Sequence, residues 1–361
     1  MNGWYKAAAV TGLAALSGLA WLALDAAIHA GVFRRIYHTA NDRCRPIKAP
    51  LGIEDVAIDR TTGWVYLSAA DWRWGQGGGL YAMHLDAPGD GIVSLTGTLD
   101  EDLYPRGIGL WIGTDEKRLF AALPARGARK AAVAVFGIDE TGPDRAGGRP
   151  ALTRIATIES EQFQDLQDVA PASADTFYAT VTGSDRPSGG LLRQTDILMR
   201  RDTGAVLHFD GTQTRQVAGG LTFANGVVLD EQRQRLYVTE TTEGTLRIFD
   251  RLGPDGALAE RDTVAIGPGP DNLDLDGQGR LWVAGHPRLL ALGNHGRDGP
   301  SPSLVQRIKN GALDAVNHPT RTVYADPGTQ LSGSSAAAVH NGRLVIGSLF
   351  DPHLLICEGI E

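Results

Sequence analysis

The chain repeats one short pattern of aliphatic and polar positions along most of its length. In each copy a polar or small group precedes an aliphatic step, a turn rich in Asp or Gly follows, and a second aliphatic run ends the unit. Such paired runs separated by turns predict short antiparallel strands. The copies are GIEDVAIDRTTGWVYLSAA from Gly52, YPRGIGLWIGTDEKRLFAAL from Tyr104, DLQDVAPASADTFYATVTG from Asp165, FANGVVLDEQRQRLYVTET from Phe223, GPDNLDLDGQGRLWVAGHP from Gly269 and SGSSAAAVHNGRLVIGSLF from Ser332.

Six copies predict an all-β fold, a six-bladed β-propeller. They begin about 45 to 60 residues apart, which is the length that a four-stranded blade with variable loops needs. One blade cannot bury both faces of its sheet, so neighbours must stack, and a ring whose first and last strands share a blade has no unpaired end. A β-sandwich or a jelly roll is the structural alternative, but neither predicts six equivalent copies.

The first part of the chain has a different character. Residues Ala7 to Leu24 carry no charge, and 18 residues at about 1.5 Å each reach roughly 27 Å, close to the hydrocarbon thickness of a bilayer. We therefore expect an N-terminal hydrophobic helix, with residues 1–33 as a signal-anchor or transmembrane segment and residues 34–361 as the propeller. A cleavable signal peptide is the alternative, because the small residues from Ala26 to Ala30 could contain a cleavage site.

The net charge and the two cysteines indicate which partners and which cellular compartment to expect. The formal net charge of -8 argues against nucleic acid as a partner, because a phosphate backbone calls for clustered Lys and Arg. The two cysteines, Cys44 and Cys357, lie near opposite ends of the predicted propeller, and a bridge between them would hold the ring closed. A bridge favours an oxidising compartment outside the cytoplasm, on the periplasmic or extracellular side. Two unrelated buried thiols are the alternative.

The repeat also predicts a metal site. Because equivalent residues of each inner strand converge on the axis of a propeller, symmetry brings distant polar side chains together. Those residues are Glu54, Asp55, Arg106, Gln167, Asp168, Asn225, Asp271, Asn272, Ser334 and Ser335. Nearly all offer oxygen and none offers sulfur or imidazole, which suits calcium better than zinc. The alternative is a water-filled channel in which these residues bind strand ends and solvent.

Several of these residues lie in runs that resemble the paraoxonase/arylesterase family. The runs are IED at Ile53, FANG at Phe223, PDN at Pro270, WVAGHP at Trp282, and GSS, LVIG and CEG toward Cys357, and they follow the family's order between the two cysteines. The resemblance implies a six-bladed propeller that hydrolyses lactones and aryl or carboxylic esters with the help of calcium. It also implies a hydrophobic N-terminal segment and a Cys44–Cys357 disulfide.

Two calcium ions are implied by the same resemblance. The catalytic ion would be held by Glu54, Gln167, Asn225, Asp271 and Asn272, with Gln167 standing where the family has Asn. The structural ion would be held by Asp55, Asp168 and the backbone carbonyl of Ile108. Calcium would then polarise the carbonyl of a small-molecule lactone or ester substrate.

The chain departs from the family at the histidines that are usually assigned as the catalytic dyad. The family's PHG motif is Pro105-Arg106-Gly107 here, and the partnering His aligns with Leu123. Arg cannot accept a proton near neutral pH, so Arg106 would bind a substrate carboxylate, stabilise an oxyanion, or form a salt bridge. Asp271 or Glu54 is then the candidate for deprotonating water. His286 is the fallback base, with a simple turn residue as the alternative.

Other interpretations stay open. The fold could serve a gluconolactonase-like or strictosidine-synthase-like propeller with another substrate, or a non-catalytic binding propeller that calcium stabilises. At the mouth of the tunnel we expect an apolar lip at Trp72 and Trp74, a short helix at residues 191–201, and a flexible loop at Gly75–Gly79. Oligomeric state cannot be inferred from this pattern.

Overall fold

A long helix precedes the β structure. The computed structural model describes residues 2–71, 76–97, 103–140, 148–183, 200–293, 299–309 and 320–360. Helix α1 covers Asn2–His29, and its 20-residue stretch Val10–His29 has a mean hydropathy of 1.5 and no buried residue. By length and composition this stretch is able to cross a membrane, as the uncharged run predicts.

The remaining described chain is built from short strands. Blade I contains β2 Ile53–Ile58, β3 Trp64–Asp71, β4 Gln76–His84 and β5 Val93–Ser94, and blade II contains β6 Ile108–Ile112, β7 Lys117–Leu123, β8 Ala132–Asp139 and β9 Ala151–Glu159. Blade III contains β10 Leu166–Pro171, β11 Phe177–Val181, β12 Gly204–Phe209 and β13 Thr214–Leu221, and blade IV contains β14 Ala224–Asp230, β15 Arg235–Glu240, β16 Thr245–Arg251 and β17 Leu258–Ala265. Blade V contains β18 Pro270–Leu275, β19 Arg280–Gly285, β20 Ser303–Lys309 and β21 Thr320–Asp326, with a short helix α2, Leu289–Gly293, between β19 and β20. Blade VI contains β22 Ser334–His340, β23 Arg343–Ser348, β24 His353–Glu358 and, from the start of the propeller, β1 Cys44–Lys48.

Within the described residues, these strands form six antiparallel sheets of four, so the prediction of a six-bladed propeller is confirmed. Blade VI joins both ends of the ring, because β1 pairs with β24 in the register Cys44↔Cys357 to Lys48↔His353. The two cysteines, which are 313 positions apart in the sequence, form a disulfide across this pair. The predicted ring closure and its covalent bridge are therefore confirmed. A disulfide together with an apolar helix is typical of secreted or membrane-anchored proteins.

The hydrophobic core lies between the blades. Each apolar cluster of the described structure joins two neighbouring blades, so that the large side chains of one sheet pack on the next. Representative pairs are Tyr66 with Phe136 (I and II), Phe120 with Phe177 (II and III), Tyr178 with Phe249 (III and IV), Tyr237 with Leu281 (IV and V), Trp282 with Leu344 (V and VI) and Val345 with Ile53 (VI and I). Full burial of one such side chain stabilises the fold by about 1.5–3 kcal/mol. The ring is therefore held by its blade-to-blade contacts.

Most inner strands of the described chain are irregular where the repeat is polar. The pairing register shifts after Ile53 in β2, Leu166 in β10, Ala224 in β14, Pro270 in β18 and Ser334 in β22. A β-bulge leaves its extra residue outside the hydrogen-bonded ladder and re-aims that side chain. The bulges thus place one or two polar side chains of each such blade at the same end of the ring.

One expectation at the tunnel mouth is wrong. The glycines from Gly77 to Gly79 do not form a flexible loop, because β4 begins at Gln76 and pairs Gly79 with Ala69 and Gly78 with Ala70. Close packing explains them: a Cβ on Gly79 would lie 2.4 Å from Thr96 Oγ1. Trp72, Trp74, Gly75 and residues 191–199 lie outside the described residues, so the expected lip and short helix are not described.

Candidate functional site

Four of the residues expected to bind the catalytic ion come together at the bulged ends of the inner strands. Asn225 donates from Nδ2 to Asp271 Oδ1 at 2.6 Å, which joins blades IV and V. Asn272 donates from Nδ2 to the Glu54 backbone oxygen at 2.8 Å and lies 3.5 Å from Glu54 Oε2. The last contact joins blades V and I, which are not neighbours in the ring, and so it places these residues near the axis.

Gln167 occupies the equivalent bulge of β10. Its side chain is buried, and its Nε2 donates to the backbone oxygen of Asp165 at 3.0 Å. This hydrogen bond holds the Gln167 side chain against the residue that precedes its own strand. The two serines expected near the axis connect neighbouring blades: Ser334 Oγ donates to the Gly285 oxygen at 3.0 Å and Ser335 Oγ to the Ile53 oxygen at 2.6 Å.

The amide oxygens of the site fit a hard cation. Asn225 Oδ1 and Asn272 Oδ1 are buried, and neither has a hydrogen-bond partner among the described residues. Leaving a buried acceptor unsatisfied costs about 1–3 kcal/mol, and such an atom next to carboxylates is the kind of ligand that calcium takes. In the described part of the chain, no three His, Cys, Asp or Glu side chains are grouped to hold an ion by themselves. A metal at this place would depend on the amides as much as on Glu54 and Asp271.

The buried carboxyl groups are electrostatically unfavourable as anions. Burial raises the pKa of Glu54 well above its usual range, and the nearby charges of Asp271 and Asp55 raise it further. Burial also raises the pKa of Asp168, with a contribution from the charge of Asp55. Carboxylates that are crowded away from water repel each other unless a proton or a cation neutralises them. The site therefore favours bound positive charge.

The residues expected at the structural ion lie one position further along the inner strands. Asp55 accepts backbone hydrogen bonds from Val56 and, across to blade II, from Ile108, both at 2.8 Å. Asp168 repeats this arrangement, accepting from Val169 and, across to blade IV, from Val227, both at 2.7 Å. Burial raises the pKa of Asp55 to about 7, although these hydrogen bonds act in the opposite direction. Both carboxylates therefore connect the inner strands of neighbouring blades.

A cavity of about 300 Å³ continues the axis beyond Asp55 and Asp168. Its walls are mostly apolar residues of the inner strands, among them Ile58, Leu110 and Leu275. Arg60 and Asp274, which form an ion pair, also line it. The group of buried carboxylate and amide side chains lies at the end of the ring where the inner strands begin, and the Arg60–Asp274 ion pair lies further along the axis.

His286 is part of the axial group. It follows β19, is only 1% exposed, and its Nε2 lies 2.8 Å from Asp271 Oδ2. Because an ionised carboxylate only accepts hydrogen bonds, this contact requires a proton on Nε2 when Asp271 is ionised. Nδ1 is buried without a hydrogen-bond partner among the described residues.

Arg106 forms the salt bridge that was one of its expected roles. Its Nη1 donates to Asp165 Oδ1 at 2.8 Å and to the Leu166 backbone oxygen at 2.9 Å. Asp165 also accepts a hydrogen bond from Thr182 Oγ1 at 2.7 Å. Leu123 ends β7 and lines a separate cavity of about 540 Å³ on blade II. The two positions that depart from the family's histidines are thus an ion-paired cation and an aliphatic wall residue.

The sequence pattern missed two residues around the site, Thr241 and Thr182, which stand at the same place in the repeat as His286. Thr241 follows β15, accepts from Asn225 Nδ2 at 2.9 Å and donates to the Pro270 oxygen at 2.8 Å. Thr182 follows β11, as His286 follows β19. All three stand at the same place in the repeat, one residue after the second strand. Comparison of the ends of the second strands, in addition to the starts of the first, would have revealed them.

The fold and the site define the class of protein: a closed six-bladed β-propeller whose axis carries buried carboxylate and amide side chains. The sequence model of the arylesterase family matches residues 63–358, which is more than half of the chain. The chain therefore belongs to the arylesterase family. It is 24% identical over 302 residues to serum paraoxonase/lactonase 3 of Homo sapiens, covering 82% of this chain and 81% of that protein.

Solved structures agree on the fold. The luciferin-regenerating enzyme superposes with a TM-score of 0.56 at 13% identity, covering 90% of this chain and 96% of its own. A gluconolactonase from Xanthomonas campestris superposes with a TM-score of 0.53 at 18% identity, covering 90% and 93%. At these identities the likeness concerns the propeller architecture. Together with the family match it defines a propeller of the lactonase and esterase type.

Proposed function

We propose that this protein is a calcium-dependent hydrolase of lactones or of aryl and other carboxylic esters. The observation that carries the proposal is the pair of buried, unpartnered amide oxygens of Asn225 and Asn272 beside the carboxylates of Asp271 and Glu54. Membership in the arylesterase family supports the reaction class. The chemistry of the donor set supports calcium.

The catalytic ion would be held by Glu54, Gln167, Asn225, Asp271 and Asn272, and a structural ion by Asp55, Asp168 and the carbonyl of Ile108. Calcium bound at the catalytic position supplies a Lewis acid for the substrate carbonyl. For Gln167, this requires its amide to turn from the Asp165 carbonyl toward the axis. The whole site would lie on the exported side of a membrane, with residues 1–33 as the anchor.

Proton transfer is assigned to the Asp271–His286 pair. Asp271 holds the imidazole through Nε2, so that Nδ1 is free to accept a proton from the attacking water. Glu54, whose pKa is raised by burial, is the alternative acid or base. Arg106, bound to Asp165, acts by organising the rim of the site, and a substrate carboxylate could reach it only by competing with this ion pair.

The test is hydrolysis of a panel of lactones and aryl esters by the full chain, before and after chelation of calcium. We expect turnover that chelator abolishes and added calcium restores. Asp271→Asn and His286→Gln should each lower kcat by about 100-fold or more, as expected for loss of general base catalysis. Asn225→Ala should weaken calcium binding by at least about tenfold (about 1.4 kcal/mol). Gln232→Ala, at an exposed amide residue of blade IV, is the matched control and should change neither quantity.

One observation favours a second candidate function. Arg106 and Leu123 occupy the positions at which the resembling family has its dyad, and Arg106 is engaged with Asp165. A calcium-stabilised binding propeller without turnover would fit these replacements. Melting that depends on chelator, without hydrolysis of any substrate in the panel, would support this candidate and contradict the hydrolase. Turnover that ignores the chelator would instead favour a propeller related to the gluconolactonases with other chemistry.

A further inference from the structure

The segment that joins helix α1 to the propeller lies directly on two turns of blade V. Residues 30–34, hereafter the strap, follow the helix and are held by main-chain contacts. The Ala30 oxygen accepts from Leu289 N at 3.0 Å, and the Arg34 oxygen accepts from Arg288 Nε at 2.9 Å and Nη2 at 2.7 Å. Ala30 and Gly31 are buried, although the helix before them is exposed. The strap is therefore part of the folded propeller.

Gly31 fits its place only as glycine. Its φ is +70°, a left-handed conformation that other residues adopt at a cost. A Cβ at this position would lie 1.9 Å from the Pro287 oxygen and 3.3 Å from Pro268 Cγ. Backbone atoms cannot yield by a change of rotamer, so any side chain here forces the strap and the Pro287 turn apart.

Both turns beneath the strap carry residues of the axial site. Pro287 follows His286 directly, and Pro268 lies three residues before Asp271. The turns are tied to each other, because His286 N donates to the Gly269 oxygen at 2.7 Å. The side chains of His286 and Asp271 then meet at 2.8 Å. Because Pro287 is bonded directly to His286, a displacement of Pro287 also displaces the His286 imidazole.

The base of helix α1 is fastened at a second point. Arg200 Nη2 lies 2.8 Å from Asp25 Oδ2, and Arg200 Nε lies 3.6 Å from Glu243 Oε2 on blade IV. The end of the helix is therefore held on both blades that supply Asn225 and Asp271. Movement of the helix relative to the ring would therefore strain both the strap and the Asp25–Arg200 ion pair.

We propose that the strap is a positioning element for the axial site, with Gly31 and Arg288 as positioning residues that keep His286 and Asp271 in hydrogen-bonding geometry. This inference rests on the proposed hydrolase function for its consequence in catalysis. Neither residue touches reacting atoms. The role follows from contact with the turns that carry the base, and displacements of about 1 Å in an active site are able to lower rates by about 100-fold. The apolar helix and the site are then mechanically coupled.

Gly31→Ala in the full chain tests the strap. We expect kcat to fall about tenfold to 100-fold, KM to stay within about twofold, and the pH profile of kcat to shift, because the geometry of the base changes while substrate binding does not. Gly220→Ala is the matched control: Gly220 has a φ of +72° but open space around its Cβ position. Gly18→Ala, in the exposed part of α1 with open space, controls for the helix.

Arg288 gives an independent variant that creates no steric overlap. Arg288→Met removes both hydrogen bonds to the Arg34 oxygen and should lower kcat in the same way, whereas Arg288→Lys keeps one donor and should restore most of it. The proposal is overturned if Gly31→Ala and Arg288→Met keep the wild-type kcat and pH profile.

A spectroscopic measurement separates failure of this inference from failure of the proposed function. In protein labelled with 13C-histidine, the His286 ring resonance, assigned by its loss in His286→Gln, should shift in Gly31→Ala and stay in place in Gly220→Ala. This readout needs neither turnover nor calcium. An unchanged His286 resonance in Gly31→Ala contradicts the proposed positioning role of the strap, even if the enzyme is active. A shifted resonance supports that role, even if no substrate is hydrolysed.

Discussion

At the scale of single residues, Asp276 shows how one carboxylate fastens the turn between two strands of a blade. It accepts hydrogen bonds from Arg280 Nε at 2.6 Å and from the buried indole of Trp282 at 2.8 Å. Backbone N–H groups of Gln278 and Arg280 add two more at 2.9 Å. Burial by itself raises the pKa of Asp276, but these donors favour the ionised form and the pKa is lowered overall. The ionised side chain is therefore a structural element of blade V.

This arrangement predicts a pH dependence of stability. Because the folded pKa of Asp276 lies below the unfolded value of about 3.9, its contribution is present above that pH and is lost as the pH falls through the folded pKa. Asp276→Asn should lower the free energy of unfolding by about 1.5–3 kcal/mol at pH 7. Below about pH 4 the difference from the wild type should narrow.

Urea denaturation at pH 7 and pH 3 measures both quantities. Asp90→Asn, at an exposed aspartate in a loop of blade I, is the control and should leave the midpoint unchanged at either pH. A difference between Asp276→Asn and the wild type that is equally large at both pH values would contradict the assignment to the carboxylate charge.

At the scale of strands, the close approach of β14 and β18 depends on a residue without a side chain. Gly226 lies in the bulge of β14, next to Asn225, and its φ is not left-handed, so only space requires glycine. A Cβ would lie 2.7 Å from the Asp271 oxygen and 2.8 Å from Asn272 Cα. Both are backbone atoms of the neighbouring inner strand. The axial site is therefore assembled by direct contact between two bulged strands.

Gly226→Ala should separate these strands. We expect the free energy of unfolding to fall by about 1–3 kcal/mol, as for other overpacked sites, and calcium binding to weaken in parallel. Gly277→Ala, at an exposed turn glycine with open space, should change neither. Thermal melting with and without calcium measures both effects. A loss of stability with unchanged calcium affinity would show that the bulges do not shape the calcium site.

The sequence predicted the first two strands of every blade and little of the outer two. Inner strands such as β2 and β14 are mostly buried, whereas β9 and β17 are mostly exposed or half-buried and lack a repeated turn motif. The glycines of β4 were misassigned for a related reason. Their role is set by contacts with Thr96 and with the backbone of the neighbouring strand at Ala69, which local composition does not show, so the composition indicated a loop.

For the site, symmetry between the copies was sufficient to predict Glu54, Asn225, Asp271 and Asn272 as one group. It could not predict the partners that come from turns. The Arg106–Asp165 ion pair depends on a left-handed Asp165 with a φ of 54°, and the His286–Asp271 pair depends on the turn that the strap covers. These contacts join segments whose relative position only the folded ring defines.

At the scale of the whole molecule, the ring is closed by one strand pair and one covalent bond. Cys44 and Cys357 face each other in the β1–β24 pair, and the bond between them closes a loop of more than 300 residues. Reduction, or the double variant Cys44→Ser/Cys357→Ser, should lower stability by about 2–5 kcal/mol, mainly because the unfolded chain is no longer constrained. Denaturation with and without reductant measures this, and an unchanged midpoint would contradict it.

The positions of β1 and β24 in the sequence determine when the ring can close during synthesis. Strand β1 emerges among the first residues of the propeller, but its partner follows 313 residues later. At about 5–20 residues per second, β1 waits roughly 15 to 60 s without a neighbour. During that interval blades I to V are able to stack in order while a strand edge stays open to wrong partners. Blade VI, the last to be translated, thus closes the ring only when β24 is available to pair with β1.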